Sequence, residues 1–222
     1  MNQLPLALSG LGPLDFEQFW PGNNDLALAR LRALAQRPGA DQVLLGAAEG
    51  SGKTHLLLAT CEAARRAGYS VAYLPLSRLE PEALTEPVDA DLVAVDDVDQ
   101  ALAGRDLAQW LFTQINRQHD RGRALLLAMR GAVTEATLPD LVSRLARAEA
   151  VHLKAPDDVA RRAILLHRAR CAGIPLEPAA ADYLMRHAHR DLRSLLARLA
   201  ELDREALARG RRITVPLLRE VL

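Results

Sequence analysis

Lys53 and Thr54, set directly after Gly50-Ser51-Gly52, are the residues best placed to do chemistry. An apolar run, Val43-Leu44-Leu45, leads into Gly46, Ala47 and the glycines, and a helical pattern starts at His55-Leu56-Leu57-Leu58. That order predicts strand, loop, helix. Glycines let successive backbone N–H groups turn toward one anion, and the helix behind them presents its positive end to the same point. Lys53 then reaches the outer phosphates of a nucleotide and the Thr54 hydroxyl ligates Mg²⁺. The pattern G-x-x-x-x-G-K-[ST] asks for glycine at position 47, where this chain has Ala47 preceded by Gly46; Gly50, Gly52, Lys53 and Thr54 match. Lysine occurs only at Lys53 and Lys154, so one of the two stands where a phosphate loop needs it.

A second chemical constellation follows downstream. Leu92-Val93-Ala94-Val95 is an apolar run ending in two carboxylates, Asp96 and Asp97. A strand that delivers an aspartate beside a phosphate loop can hold Mg²⁺ and its water shell, and the adjacent acid can polarise an attacking water. Paired acids also form turns, but after a phosphate loop the catalytic reading is the stronger one.

These residues need a scaffold. Further strands are expected over 71–74, 124–129 and 151–153, with helices over about 24–36, 55–67, 106–119 and from Leu138 through Leu145. Asn24 is expected to cap the first of these, with Leu26, Ala29, Leu31 and Leu34 on its apolar face. Alternating strands and helices argue an α/β fold with a parallel sheet covered on both faces, and ligands in such sheets sit at the carboxyl ends of the strands. From Pro156 the texture is helical only, over about 157–172, 178–189, 191–208 and 215–222. The expected organisation is an extended tail over 1–14, an α/β nucleotide-binding domain over 15–155 and a small helical domain over 156–222.

At 222 residues and 50% apolar composition the chain can bury a sizeable core. Lys plus Arg equals Asp plus Glu at 28 each, which excludes the global positive field of a sequence-independent duplex binder. No apolar run is long enough for a membrane span and no secretory leader is evident, so a cytoplasmic protein with no membrane partner is expected. Cys61 and Cys171 read as buried small residues, the arginines at 161, 162, 168 and 170 as solvated helical faces, and His167, His187 and His189 carry no metal spacing.

Two apolar features stand outside this frame. Gln3-Leu4-Pro5-Leu6-Ala7-Leu8 puts a leucine at every second position of an extended segment, suited either to docking in a partner's groove or to packing on the chain's own domain. It also offers a surface for self-association into a homodimer. Phe16, Phe19 and Trp20 cluster in a chain with only 4% aromatics, either as core or at the edge of an apolar pocket.

The segments GSGKTHLL (50–57), DDVDQALAG (96–104) and LPDLVSRL (138–145) resemble the DnaA family of AAA+ proteins. FEQFWPGNN (16–24), LPDLVSRL and QLPLAL (3–8) resemble in particular the short DnaA-related regulators that inactivate DnaA. The resemblance spans essentially the whole chain and implies a AAA+ nucleotide-binding domain with a C-terminal helical lid. It assigns Lys53 and Thr54 to Walker A, Asp96 and Asp97 to Walker B, Arg144 to the arginine finger and Arg193 to the sensor arginine of the lid. It also implies that Phe16, Phe19, Gly22 and Asn23 form the adenine-side pocket, with Gly50, Ser51 and Gly52 cradling the phosphates. The bound ligand is then ADP or ATP with Mg²⁺. Gln3, Leu4, Leu6 and Leu8 match a motif that binds the DNA polymerase III sliding clamp, so DNA is met indirectly, through the clamp. The function implied is negative regulation of replication initiation, by stimulating ATP hydrolysis on DnaA. Ala47 and the all-apolar stretch 125–129, where AAA+ ATPases carry a polar residue that orients water, imply weak hydrolysis by the chain itself. An autonomous DnaA-like ATPase that loads a helicase or remodels DNA is the alternative.

Overall fold

The computed structural model describes residues 11–79, 86–131, 138–188 and 191–221. The described residues form two compact units, one of residues 23–155 and one joining residues 11–22 to residues 156–221.

The larger unit begins with helix α1 (Asp25–Gln36) and strand β1 (Gln42–Gly46). Helix α2 (Lys53–Arg66), β2 (Val71–Pro75), a single 3₁₀ turn (Leu76–Arg78) and β3 (Leu92–Asp96) follow. The remainder is α3 (Asp99–Ala103), α4 (Arg105–Asp120), β4 (Ala124–Met129), α5 (Pro139–Leu145) and β5 (Glu149–His152). All strands pair in parallel in the order β2-β3-β4-β1-β5. Every residue of β3 and β4 is buried, as their apolar sequences, interrupted only by Asp96 at the end of β3, require of inner strands covered on both faces. The sheet and the helices covering one face share a core that includes Val93, Val95, Leu111, Ile115, Leu125 and Leu127.

Several details depart from the sequence reading, each for a local reason. Leu26 is 89% exposed, and Ala29 is exposed too, because the buried stripe of α1 runs through Ala27, Leu28, Leu31, Leu34 and Ala35. Asn24 makes no side-chain cap on α1. Its amide instead clamps the Lys154 backbone, accepting from the Lys154 N–H at 2.8 Å and donating to its carbonyl at 3.3 Å. Helix α3, five residues long, had no sequence signature.

The smaller unit comprises α6 (Asp158–Cys171), α7 (Pro178–His187), α8 (Leu192–Ala208) and α9 (Val215–Val221) around a core of Leu165, Leu184, Leu199, Leu202 and Leu217. Asp157 and Asp191 cap α6 and α8 by accepting from the Ala160 and Ser194 N–H groups. The stretch 11–22 belongs here, although the sequence reading gave residues 11–14 to a tail and 15–22 to the α/β domain. Leu11 is 1% exposed within the helical core. Arg168, read as solvated, is buried and donates to Gln18 Oε1 and to the Leu11 carbonyl, the latter at 3.1 Å. His167 Nε2 lies 2.9 Å from the Glu17 carbonyl. Cys171, read as buried, is exposed, while Cys61 is buried and its thiol is pushed up to about 12 by desolvation.

Candidate nucleotide site

Strand β1 ends at Gly46 against the neighbouring strand ends. A Cβ on Gly46 would lie 2.9 Å from the Gly131 carbonyl and 3.2 Å from His152 Nδ1, so close approach demands glycine here. Ala47 donates its N–H to the Met129 carbonyl at 3.3 Å. Among the described residues Asp97 is the non-glycine with positive φ, so Ala47 sits in the loop without left-handed strain. The left-handed turns fall instead on Gly50 (φ 75°) and Gly52 (φ 92°). Gly52 is the N-cap of α2 and has no Cβ to obstruct an anion at the helix's free N–H groups.

The side chains of this loop are held inward. Ser51 donates its hydroxyl to the Ala48 carbonyl at 2.6 Å. Lys53 Nζ donates to the carbonyls of Ala47 and Ala48 at 2.8 and 2.9 Å. Burial lowers the Lys53 pKa, an effect that the Asp96 charge opposes.

Asp96, which the resemblance assigns to Walker B, meets this loop directly. Thr54 Oγ1 donates to Asp96 Oδ2 at 2.6 Å, the Tyr73 hydroxyl donates to the same oxygen at 3.0 Å, and the Asp97 N–H donates to Oδ1 at 3.0 Å. Asp96 is only 2% exposed. Asp97 takes φ 55°, and its carboxylate accepts from the Ser77 hydroxyl. Among the described residues no cluster of three His, Cys, Asp or Glu side chains could hold a metal alone. A hydroxyl and a carboxylate are hard oxygen donors, and Mg²⁺ typically takes one or two such ligands and completes its shell with phosphates and water. Thr54 and Asp96 therefore fit Mg²⁺ in the company of a nucleotide.

Burial raises the Asp96 pKa above that of an ordinary aspartate, and the neighbouring Asp97 charge adds to the rise against the hydrogen bond from Thr54. A carboxyl whose folded pKa lies above its unfolded one stabilises the fold when protonated, and that contribution is lost as pH rises through the folded value. Asp96→Asn removes this titration, and the Thr54 and Tyr73 hydroxyls can turn to accept from the new amide. The expected result is a higher Tm than wild type at neutral pH, a gain that shrinks toward acid, together with loss of Mg²⁺-dependent nucleotide binding. Thermal unfolding at neutral and acid pH reads the first effect; a lower neutral Tm for the variant would show that carboxylate hydrogen bonding outweighs burial.

Sequence reasoning missed Tyr73, Ser77, Asp99 and Arg130. Tyr73 stands in register with Ala94, two residues before Asp96 on the adjacent strand, so its reach to Asp96 follows from strand order. Both Asp99 carboxylate oxygens accept from the Arg130 N–H at 3.0 Å, and the Arg130 guanidinium pairs with Glu49 of the phosphate loop at 3.5 Å. A cation thus stands just beyond the apolar β4, beside the loop.

Arg144 occupies a different part of the same unit. On the last turn of α5, it lines a cavity of about 300 Å³ with Gln42, His119, Arg147 and Glu149, and its guanidinium lies 5.8 Å from the Phe112 ring centroid. Gln42 opens β1 and the phosphate loop follows its other end, so Arg144 and the loop are separated by the length of a five-residue strand, ~15 Å. Asn23 begins the larger unit. Phe16, Phe19 and Gly22 lie in the smaller one, where both phenylalanines are buried and Gly22 has φ 52°. Arg193 is exposed on the first turn of α8. Gln3, Leu4, Leu6 and Leu8 lie outside the described residues.

Residues 157–222 match the family model "Hda, lid domain", and residues 1–95 match "IstB-like ATP binding protein". Among solved structures the chain is similar to domain III of the Thermotoga maritima replication initiation protein DnaA, at 21% identity and TM-score 0.77, covering 99% of this chain and 98% of that one. AMPPCP-bound DnaA from Aquifex aeolicus matches at 22% identity and TM-score 0.72, over 86% of this chain and 65% of that one. The Thermotoga maritima RuvB Holliday junction branch migration motor matches at 16% identity and TM-score 0.63, over 95% and 72%. Residues 157–222 thus match the Hda lid-domain family, and the chain has the AAA+ fold, a five-stranded parallel sheet with a phosphate-loop sequence and an aspartate at its carboxyl ends followed by a helical lid.

Proposed function

We propose that the protein, bound to ADP with Mg²⁺ and recruited to the DNA-loaded DNA polymerase III sliding clamp, stimulates ATP hydrolysis by DnaA and so converts it to the inactive ADP form. The observation that carries this reading is the position of Arg144. An arginine about a strand's length from its own phosphate loop cannot serve its own nucleotide, yet it lines an open cavity where a second AAA+ chain could present one. Phosphoryl transfer is governed by positioning and charge, and an arginine supplied in trans completes such a site. Lys53, Thr54 and Asp96 hold the chain's own nucleotide, with Asp97 beside them. Gln3, Leu4, Leu6 and Leu8 supply the clamp contact, and through the clamp the protein stays near DNA without a basic surface of its own. The DnaA–clamp setting implies a cytoplasmic site of action; among the described residues no helix is long and apolar enough to cross a membrane.

The alternative, an autonomous ATPase, draws on one observation: Arg130 at the end of β4 brings a cation to the phosphate loop. Both readings meet in one experiment, ATP hydrolysis by ATP-loaded DnaA with DNA-loaded clamp, with and without this protein. The expected result is a rise in DnaA turnover that requires the clamp. Turnover by this protein alone, with no effect on DnaA, would favour the autonomous ATPase.

A further inference from the structure

The cavity at the start of β1 holds a second arginine that the reading above leaves unused. Arg147 follows the finger by three residues, and its N–H donates to the Arg144 carbonyl at 3.1 Å. Such a turn sets side chains i and i+3 over one another, and both arginines line the cavity. Like charges so placed repel, and ion pairing elsewhere in this unit shows the usual remedy. Arg117, Arg121 and Arg123 all pair with Asp89. Among the described residues, neither Arg144 nor Arg147 pairs with a carboxylate. Glu149, in the same cavity, is engaged by Arg30 at 2.7 Å, and Arg30 holds Asp41 at 2.7 Å as well. Arg30 shares one positive charge between two acids, so Glu149 can offset at most one of the two arginines, and the described lining of the cavity keeps a net positive charge.

We propose that this cavity is a polyphosphate receptor in which Arg147 grips the phosphate chain of the nucleotide held by the partner ATPase, beside Arg144. The inference rests on the proposed action in trans and goes beyond it by adding a second phosphate contact. The size of the cavity suits it, being at the lower limit for small-ligand sites and right for a phosphate chain rather than a whole nucleoside triphosphate. A planar guanidinium matches two phosphate oxygens at once, so two arginines can hold adjacent phosphates and distinguish a triphosphate from a diphosphate. The chain's own nucleotide is not the occupant, because its phosphate loop lies at the other end of β1.

The test compares wild type, Arg144→Ala and Arg147→Ala, each loaded with ADP, against DnaA carrying either AMPPCP or ADP. Binding affinity is measured for both forms, and DnaA hydrolysis is measured at saturating concentrations of this protein. Wild type should prefer the AMPPCP form. Arg147→Ala should lose about tenfold to a hundredfold of that preference and lower the maximal hydrolysis rate by a similar factor, the expected effect of one charge-assisted contact. Unchanged binding of its own ADP and an unchanged Tm verify that the variant is folded, as its exposed position predicts. A variant that weakens both forms equally, with an unchanged maximal rate, would place Arg147 against a protein carboxylate and overturn the proposal. So would a variant indistinguishable from wild type. Should wild type itself neither bind nor stimulate DnaA, the action in trans fails and the receptor with it. That result is distinct from a working wild type with a silent Arg147→Ala.

Discussion

On the proposed action in trans, the expected result for Arg144→Ala is loss of stimulated DnaA hydrolysis with folding and binding of the protein's own nucleotide retained. An arginine supplied by a partner accelerates hydrolysis by about 10³- to 10⁵-fold, which corresponds to roughly 4–7 kcal/mol of barrier. Little in the fold depends on this side chain. Among the described residues its guanidinium stands over the Phe112 ring, a contact worth about 0.5–1 kcal/mol where the cation is not fully desolvated. The two consequences therefore separate by several kcal/mol. Hydrolysis by ATP-loaded DnaA in the presence of clamp reads the first, and ADP affinity and Tm read the second. Loss of ADP binding in the variant would show that Arg144 reaches the chain's own site, contrary to its place at the start of β1. Unchanged stimulation would leave the protein a pure adaptor, with the nucleotide a structural ligand.

How much of this was legible in the sequence depended on how local the information was. The phosphate loop was readable because its parts are contiguous: strand, glycines, lysine, threonine, helix. Asp96 was readable because it ends an apolar run, and β3 and β4 because inner parallel strands are apolar throughout. Tyr73 was not, since its bond to Asp96 depends on β2 lying beside β3 in a particular register. Leu26 misled for a geometric reason. Leucine in an apolar pattern predicts burial, but residue 26 is turned about 100° from residue 27, and α1 buries the face that begins at Ala27. Arg168 misled for a chemical one. Arginines at helical spacing are usually solvated, and nothing nearby in sequence announces acceptors at Leu11 and Gln18, more than a hundred residues earlier. The finger's identity came from the resemblance, whereas its separation from the phosphate loop required the sheet order and the cavity around Gln42.

Arg168→Ala destabilises the helical unit by roughly 3–5 kcal/mol, the largest stability effect expected of a single polar side chain here. Arg168 is 2% exposed, and its guanidinium stays protonated, since burial lowers its pKa from a very high ordinary value. Its removal leaves the Gln18 amide oxygen and the Leu11 carbonyl without that donor, at about 1–3 kcal/mol for each acceptor left unsatisfied, and opens a void beside Leu11. Arg168→Met fills most of the void without restoring the donors, so the difference between the two variants separates packing from hydrogen bonding. Urea unfolding measures both. Hydrogen exchange should show the loss first over residues 11–18, which α6 holds through Arg168 and through the contact of His167 with the Glu17 carbonyl. Loss of protection spread evenly over the helical core would mean that Arg168 supports that core as a whole rather than the 11–18 stretch.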